Sequence, residues 1–279
     1  MNSSQWSRRL MLTAGLWLVA AGALAQTPAA PPATFEPRVG QPGKDVVWVP
    51  TPQLLVDTML DMAKLTPSDY LIDLGSGDGR TVITAAKRGA RAQGIEYNPD
   101  MVKLSQDNAI KEGVTAKASF AKADIFESDF SQATVISMFL LPSINLQLRP
   151  KILDLKPGTR IVSNTFTMGD WIADGTTTIG GDCVSWCTAL LWIVPAKVAG
   201  TWRLPQGDLT LEQEFQMLTG TLGSGPSAAR ISEAKMLGTE ISFTAGGVRY
   251  TGRLNGAAME GTTSGAGAAG TWRATRAGA

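Results

Sequence analysis

A glycine-rich segment is the part of this sequence best suited to hold a ligand. LIDLGSGDGR, residues 71–80, places glycines at alternate positions between a strand-like run and a helix-forming run. Glycine lets a ligand approach the backbone closely, and the start of a helix offers free N–H groups. A dinucleotide loop needs glycine at position 80, which is Arg80, and the Gly-Lys-Ser/Thr ending of a phosphate loop is absent. The acid before the loop, Asp73, would repel a phosphate but suits a cationic ligand. The glycines are Gly75, Gly77 and Gly79.

Two further acids follow the next strand-like runs. Glu96 lies near the end of the run AQGIEY, at the position where nucleotide-binding α/β folds hold the ribose hydroxyls. Asp124 ends ASFAKAD, where it would meet an adenine amino group while Ile125 and Phe126 pack on the ring. A solvated strand-end acid or a turn aspartate is the simpler interpretation of each residue alone. Together the three acids predict a pocket for a cationic nucleoside, and S-adenosylmethionine carries both a sulfonium and an ammonium group.

The residues named above lie in a part of the chain where strand-like and helix-like runs alternate. Such alternation predicts an α/β fold, a Rossmann-like, doubly wound and mostly parallel sheet with helices on both faces. Strand-like runs lie at 70–74, 92–97, 118–124, 133–140 and 159–166, and helix-like runs at 52–65, 79–90, 98–113 and 143–155.

The pattern changes after about residue 197. Short alternating runs separated by Gly, Asn and Ser predict a small antiparallel β domain. AGTWR occurs at 199–203 and again at 269–273, so the first and last strands are candidates to pair and close a barrel or sandwich. The predicted divisions are a signal peptide at 1–25, a Pro/Ala-rich linker at 26–45, a cofactor-binding domain at 46–197 and the β domain at 198–279.

The first residues resemble an export signal. Arg8 and Arg9 precede an apolar run that ends in Ala23-Leu24-Ala25, which is the layout of a cleavable secretory signal. The paired arginines also fit a twin-arginine signal, which exports folded proteins, and a general secretory signal is the alternative. We therefore expect an exported protein, periplasmic or secreted, with no integral membrane segment after the signal is removed.

The amino-acid composition excludes several kinds of partner and catalytic site. With 25 basic and 24 acidic residues, the sequence indicates no nucleic-acid partner. It contains no histidine, which excludes a Ser-His-Asp triad and a histidine general base, and no metal site is predicted. Cys183 and Cys187 are too few for a zinc site. They could form a local disulfide across a turn, but on one regular strand they would be roughly 13 Å apart and could not bridge.

Residues 46–197 resemble the class I, seven-stranded S-adenosylmethionine-dependent methyltransferases. Within that class the chain is similar to the lysine methyltransferases of the adenine nucleotide translocase and the ATP synthase c subunit, with their bacterial relatives. The pair Pro50-Thr51, and Phe139 and Pro142 in MFLLPSIN, match that family's pattern. The resemblance implies methyl transfer from S-adenosylmethionine to a protein lysine or a small molecule. The chain departs from the family in its export signal, its C-terminal β region and a link after the fifth strand that is poor in helix signals.

Candidates for the acceptor side of the site lie near the fourth and fifth strands. Asp170 and Trp171, just after the fifth strand, are candidates beside Phe139 and Pro142, although a capping aspartate and a core tryptophan explain the first two as well. Two other hypotheses remain at this point. One is an exported nucleoside-binding protein without turnover, whose β domain contacts the envelope, and the other is a nicotinamide oxidoreductase, which Arg80 and Asp73 disfavour. Oligomeric state is not predicted.

Overall fold

The computed structural model describes residues 35–181, 183–265 and 269–278. The predicted signal peptide, residues 1–25, and residues 26–34 of the predicted linker lie outside the described residues.

A mostly parallel sheet forms the first half of the described chain. Its strands are β1 (Tyr70–Leu74), β2 (Arg91–Glu96), β3 (Ala118–Lys122), β4 (Val135–Met138), β5 (Arg160–Asn164), β6 (Gly175–Thr178) and β7 (Thr188–Ile193). They lie in the order β3-β2-β1-β4-β5-β7-β6, with the first five parallel and both β6 and β7 joined by antiparallel pairing. The predicted fold class is confirmed.

Helices cover both faces of this sheet. They are α1 (Gln53–Met62), α2 (Arg80–Lys87), α3 (Pro99–Lys111) and α4 (Pro142–Leu153). Neighbouring residues of β1 show the two faces, because Leu71 packs in one core cluster with Leu55 and Val82, and Ile72 packs in another with Ile144. A strand buried on both sides has an almost continuous apolar sequence, which explains why YLIDL is so readily recognised. In the part of the chain that is described, no helix combines the length and apolarity needed to cross a bilayer.

No helix forms between β5 and β6 in the described residues. The chain instead runs through a loop into the β6–β7 hairpin, whose tip contains Cys183 and Cys187. These cysteines form a disulfide, with Cα atoms 5.9 Å apart, because both lie outside the regular strands. The link was therefore correctly expected to lack a full helix, and of the two alternatives for the cysteines the structure shows the bridge.

The second half of the chain is an antiparallel barrel. Its strands are β8 (Gly200–Leu204), β9 (Gly207–Glu214), β10 (Met217–Leu222), β11 (Ala229–Arg230), β12 (Ser232–Leu237), β13 (Glu240–Ala245), β14 (Val248–Asn255), β15 (Ala258–Ser264) and β16 (Gly270–Arg276). Strands β12 to β15 each pair with the next strand in the chain. β16 then pairs with β8, and β9 pairs with β10, which completes the ring. The predicted pairing of the two AGTWR strands is confirmed. Among the described strands, closure leaves the ring without a free edge apart from the short β11.

A buried interface, which we name the joint, lies between the parallel sheet and the barrel. The rings of Trp171 and Phe215 stack with centroids 6.0 Å apart, and Trp171 is fully buried. The side-chain amide of Gln216 donates to the carbonyl oxygen of Ile172 at 2.7 Å. Trp171 therefore belongs to the packing between the parallel sheet and the barrel.

Candidate active site

A cavity of about 520 Å³ lies at the carboxyl ends of the parallel strands. Strand order reverses between β1 and β4, and open α/β sheets bind ligands in the crevice at such a point. Most of the predicted cofactor residues line this cavity, namely Asp73, Gly75, Gly77, Glu96, Asp124 and Ile125. Gly79 does not line it, because its position is at the start of α2 behind the loop.

The glycine loop has a conformation that larger residues would not adopt. Gly77 has φ +55°, and a Cβ there would lie 2.7 Å from the indole nitrogen of Trp48. Gly79 has φ +82°, and a Cβ there would lie 2.7 Å from that of Ser105 and 2.8 Å from the ring of Phe120. The backbone N–H groups of Gly75 and Ser76 both donate to the carbonyl oxygen of Ile95. The loop is therefore tightly packed and fixed to β2.

Glu96 links the end of β2 to this loop. One carboxylate oxygen accepts a hydrogen bond from the backbone N–H of Gly77 at 3.0 Å, and the other accepts one from Asn98 at 2.9 Å. Asn98 in turn caps α3, since its side-chain oxygen accepts from the N–H of Asp100 at 2.9 Å. These bonds orient the Glu96 carboxylate where it also faces the cavity.

Asp73 is a buried carboxyl group beside the loop. Ser137 on β4 donates a hydrogen bond to it at 2.7 Å, which favours the ionised form. Burial outweighs that bond and raises the pKa of Asp73 to about 7, and the negative charges of Glu96 and Asp78 add to the increase. A positively charged ligand would relieve both the desolvation and the repulsion.

Asp124 forms an ion pair inside the cavity. Its carboxylate accepts from Lys44 Nζ at 2.5 Å and from the backbone N–H of Phe126 at 2.9 Å. The hydrogen bond from Lys44 is the main reason that the pKa of Asp124 lies below its usual value. Lys44 also lies over the ring of Tyr97, with its nitrogen 4.9 Å from the ring centroid. The predicted adenine-binding acid thus has a cation beside it from the segment before α1.

Residues 41–51 of that segment line the cavity, which sequence reasoning missed. Residues 41–45 have the Pro and Gly content of a linker. In the structure, however, the backbone N–H of Trp48 donates to the carbonyl oxygen of Gln41, and the backbone N–H of Gly40 donates to the carbonyl oxygen of Trp48. Arg80 holds the end of the segment, because its guanidinium donates to the carbonyl oxygen of Thr51 at 2.8 Å and pairs with Asp78. Arg80 therefore has a structural task at the position where a dinucleotide loop has glycine.

The acceptor-side candidates separate in the structure. Phe139 lines the cavity, whereas Pro142 begins α4 outside the lining. Asp170 is largely exposed and paired with Arg149, and Trp171 is buried in the joint with the barrel. Neither of the last two lines the cavity, so their placement supports structural roles and gives no support to the predicted catalytic ones. After β5 the chain packs against the barrel through Trp171. No local sequence pattern predicts a contact between residues so far apart in the chain.

Two aromatic residues join Phe139 in the lining of the cavity. Phe166, just after β5, stacks on Phe139 with ring centroids 5.8 Å apart, and Trp186 contacts Phe139 edge-on at 6.0 Å. We name Phe139, Phe166 and Trp186 the aromatic rim. Sequence reasoning missed Phe166 and Trp186, although the spacing CVSWC marks Trp186 as enclosed by the two cysteines. The cofactor candidates lie at β1 to β3, while the rim lies at β4, β5 and the β6–β7 tip.

The residues present fit S-adenosylmethionine. Asp73 offers a buried acid for a cationic group, and the carboxylates of Glu96 and Asp124 face the same cavity. The hydroxyl of Ser76, in the loop, is buried and has no hydrogen-bond partner within the described part of the chain, so a polar ligand atom would satisfy it. A cavity of about 520 Å³ falls within the range of small-molecule sites.

Comparisons with known proteins agree with this geometry. A sequence model of the ANTKMT methyltransferase domain matches residues 73–175. A protein-lysine N-methyltransferase of Saccharolobus islandicus is 46% identical over 129 residues, which cover 45% of this chain and 80% of that protein. The human lysine N-methyltransferase of the ATP synthase c subunit is 36% identical over 138 residues, 49% of this chain but only 59% of the human protein.

A solved structure extends the match. An RNA methyltransferase from Salinibacter ruber, in complex with S-adenosyl-L-homocysteine, is 46% identical, with a TM-score of 0.51. The match covers 54% of this chain and 96% of that chain. The chain therefore belongs to the ANTKMT methyltransferase-domain family and is an S-adenosylmethionine-dependent methyltransferase.

Proposed function

We propose that the methyl acceptor is the ε-amino group of a lysine in a protein. The observation that carries this proposal is the chemistry of the cavity beyond the cofactor residues. There the aromatic rim and the neighbouring Leu140 and Leu141 provide an apolar lining. Relatives named as protein-lysine methyltransferases add support.

The apolar lining would help a lysine to lose its proton. An amine accepts a methyl group only in its neutral form, and the chain has no histidine to act as base. Removing an amine from water into apolar surroundings lowers its pKa, so water or a backbone carbonyl suffices to take the proton. When bound, S-adenosylmethionine supplies the electrophilic methyl group. The protein aligns the two partners and excludes water.

Methyl transfer in vitro tests the acceptor class. Purified protein is incubated with methyl-labelled S-adenosylmethionine and poly-L-lysine, an envelope protein extract or RNA, and labelled proteins are hydrolysed to identify the modified residue. We expect label in methylated lysine and none in RNA. RNA is the second candidate because of the Salinibacter ruber relative's name, and label in RNA alone would overturn the lysine proposal. Glu96→Ala serves as a cofactor-site control that should abolish transfer.

We also propose that the protein acts outside the cytosol. The signal-like residues 1–25 and the Cys183–Cys187 disulfide support this, because disulfides persist mainly in oxidising compartments. Cell fractionation of the full chain provides the test, with Arg8→Lys/Arg9→Lys as a variant that should block export only on the twin-arginine route. Recovery of the intact protein in the cytosol alone would contradict the proposal.

A further inference from the structure

The aromatic rim has a shape that favours one kind of acceptor. The rings of Phe139 and Phe166 are nearly parallel, at 20°, and already stack on each other, which leaves no slot between them for a flat base. Trp186 contacts Phe139 at 61° and forms a second wall. Walls of this kind pack well against an extended hydrocarbon chain, and lysine carries four methylene groups before its nitrogen.

Trp186 is positioned by a covalent constraint. It lies between Cys183 and Cys187, and their disulfide closes the tip of the β6–β7 hairpin. Its φ of +54° is in the left-handed region, which is unfavourable for a bulky residue and persists only where the surroundings enforce it. The backbone N–H of Ile179 donates to the carbonyl oxygen of Cys187 at 2.9 Å, which anchors the closed turn to the strands.

Phe166, another residue of the aromatic rim, is also held in place by its neighbours. Thr165, next to Phe166, also has a left-handed φ of +59°, and its N–H donates to Thr188 at the start of β7. The carbonyl oxygen of Phe166 accepts from the hydroxyl of Ser163 at 2.9 Å. Strained backbone at both Thr165 and Trp186 places conformational cost at the rim, where functional sites commonly carry it.

The exposure of Trp186 indicates that it does more than shield Phe139 from solvent. The residue remains 42% exposed although its ring packs against Phe139, so part of it is free to meet a ligand. Val184 in the same turn is 94% exposed and is absent from the cavity lining, which separates the turn itself from the residue that it presents.

We propose that the aromatic rim binds the aliphatic arm of a lysine-type amine and that the disulfide-closed turn positions Trp186 for this contact. The proposal rests on the lysine acceptor proposed above. Acceptor affinity then depends on the oxidation state of Cys183 and Cys187, whereas cofactor binding at β1 to β3 does not. Trp186 is a residue that determines specificity for the length of the acceptor's arm.

The test compares poly-L-lysine with poly-L-ornithine, whose arm is one methylene shorter. Methyl transfer is measured for the oxidised wild type, for Trp186→Ala and Trp186→Phe, and for Cys183→Ser/Cys187→Ser. The oxidised wild type is also assayed after reduction by dithiothreitol. Reduction breaks the sulfur–sulfur bond and yields two thiols, because the dithiol supplies two electrons and two protons and forms its own disulfide. Val184→Ala is the matched control within the turn.

We expect Trp186→Ala to raise the KM for poly-L-lysine about tenfold, as for the loss of packing on about two methylene groups. It should also reduce the preference for lysine over ornithine, which a merely structural role would not change. Trp186→Phe should retain most of the affinity, and the reduced and double-serine proteins should resemble Trp186→Ala. S-adenosylmethionine affinity, measured by calorimetry, should stay within about twofold in all of them and thereby report an intact fold.

The outcomes separate the two proposals. If the oxidised wild type binds S-adenosylmethionine but methylates lysine neither in poly-L-lysine nor in the envelope protein extract, the lysine proposal fails and this inference fails with it. If it methylates lysine in the extract but not in poly-L-lysine, this inference alone is overturned, because a rim that binds the lysine arm would accept the polymer. If transfer occurs but neither Trp186→Ala nor reduction changes the KM or the preference for lysine, this inference alone is overturned. A similar increase in KM for Val184→Ala would also overturn it.

Discussion

At the residue scale, the buried carboxyl group of Asp73 makes cofactor binding sensitive to pH. Its pKa of about 7 means that near neutral pH a proton must leave before the carboxylate meets a cation. The ligand favours the ionised form, so it lowers this pKa, and affinity for S-adenosylmethionine should rise with pH and level off above about pH 7. The increase is at most about tenfold per pH unit for one proton.

Calorimetry from about pH 5 to about pH 8 measures this dependence, and buffers of different ionisation enthalpy reveal the released proton. Asp73→Asn is the control, because it should bind more weakly and without the dependence. A wild-type affinity that is constant over this range would show that Asp73 does not ionise on binding.

Lys44 provides a second prediction at this scale. Its ion pair with Asp124 must loosen before an adenine amino group can meet that carboxylate in the predicted manner. Lys44→Met should therefore tighten S-adenosylmethionine binding about threefold, the modest change typical of a partly exposed pair. Lys103→Met, which breaks the exposed pair with Asp107 on α3, should leave affinity unchanged. Weaker binding by Lys44→Met would instead indicate that Lys44 itself holds the ligand.

At the element scale, the loop between β1 and α2 depends on close packing as much as on backbone freedom. Gly79→Ala would combine a left-handed φ with contacts to Ser105 and Phe120, whereas Gly113→Ala, with φ +68°, meets nothing within 4 Å. We expect Gly113→Ala to lower the free energy of unfolding by about 1 kcal/mol from backbone strain. Gly79→Ala should cost about 2 kcal/mol more from overpacking. Urea denaturation measures both, and equal losses would contradict the packing argument.

Local sequence patterns predicted the elements that carry the cofactor residues. The apolar runs around Leu71 and Ile136 identify β1 and β4 because both faces of those strands are buried. Asn98 and Pro99 mark the start of α3 through capping and a preset φ. The helix predicted over residues 52–65 is shorter, Gln53–Met62, since the chain leaves the helix near Ala63.

Tertiary packing explains the elements that were missed. Residues 41–45 resemble a linker in composition, and only their place in the lining and the ion pair of Lys44 with Asp124 show that they belong to the cavity. Trp171 follows β5 at a position typical of a site residue, yet its ring packs on Phe215, which lies 44 positions further along the chain. No local pattern announces a contact at that separation.

At the scale of the whole molecule, the joint between the sheet and the barrel should contribute to stability. Phe215 stacks on Trp171 and lies beneath the guanidinium of Arg149, 5.1 Å from the ring centroid. Phe215→Ala should lower the free energy of unfolding by about 2 kcal/mol through lost packing. Met217→Ala, in the same region but exposed, is the control. A loss no greater than that of the control would show that the joint adds little to stability.

The division of the chain into two domains between residues 197 and 198 stays a prediction.

The pairing of β8 with β16 also sets an order of assembly during synthesis. Arg276, the last residue of β16, donates to the carbonyl oxygen of Lys197, 79 positions earlier, so the ring closes only after nearly all of the barrel has left the ribosome. The parallel sheet, whose neighbouring strands are mostly close in sequence, meets no such delay. Until residue 215 has been synthesised, Trp171 lacks its stacking partner Phe215, and a nascent chain stalled before β9 would expose that face of Trp171 to chaperones.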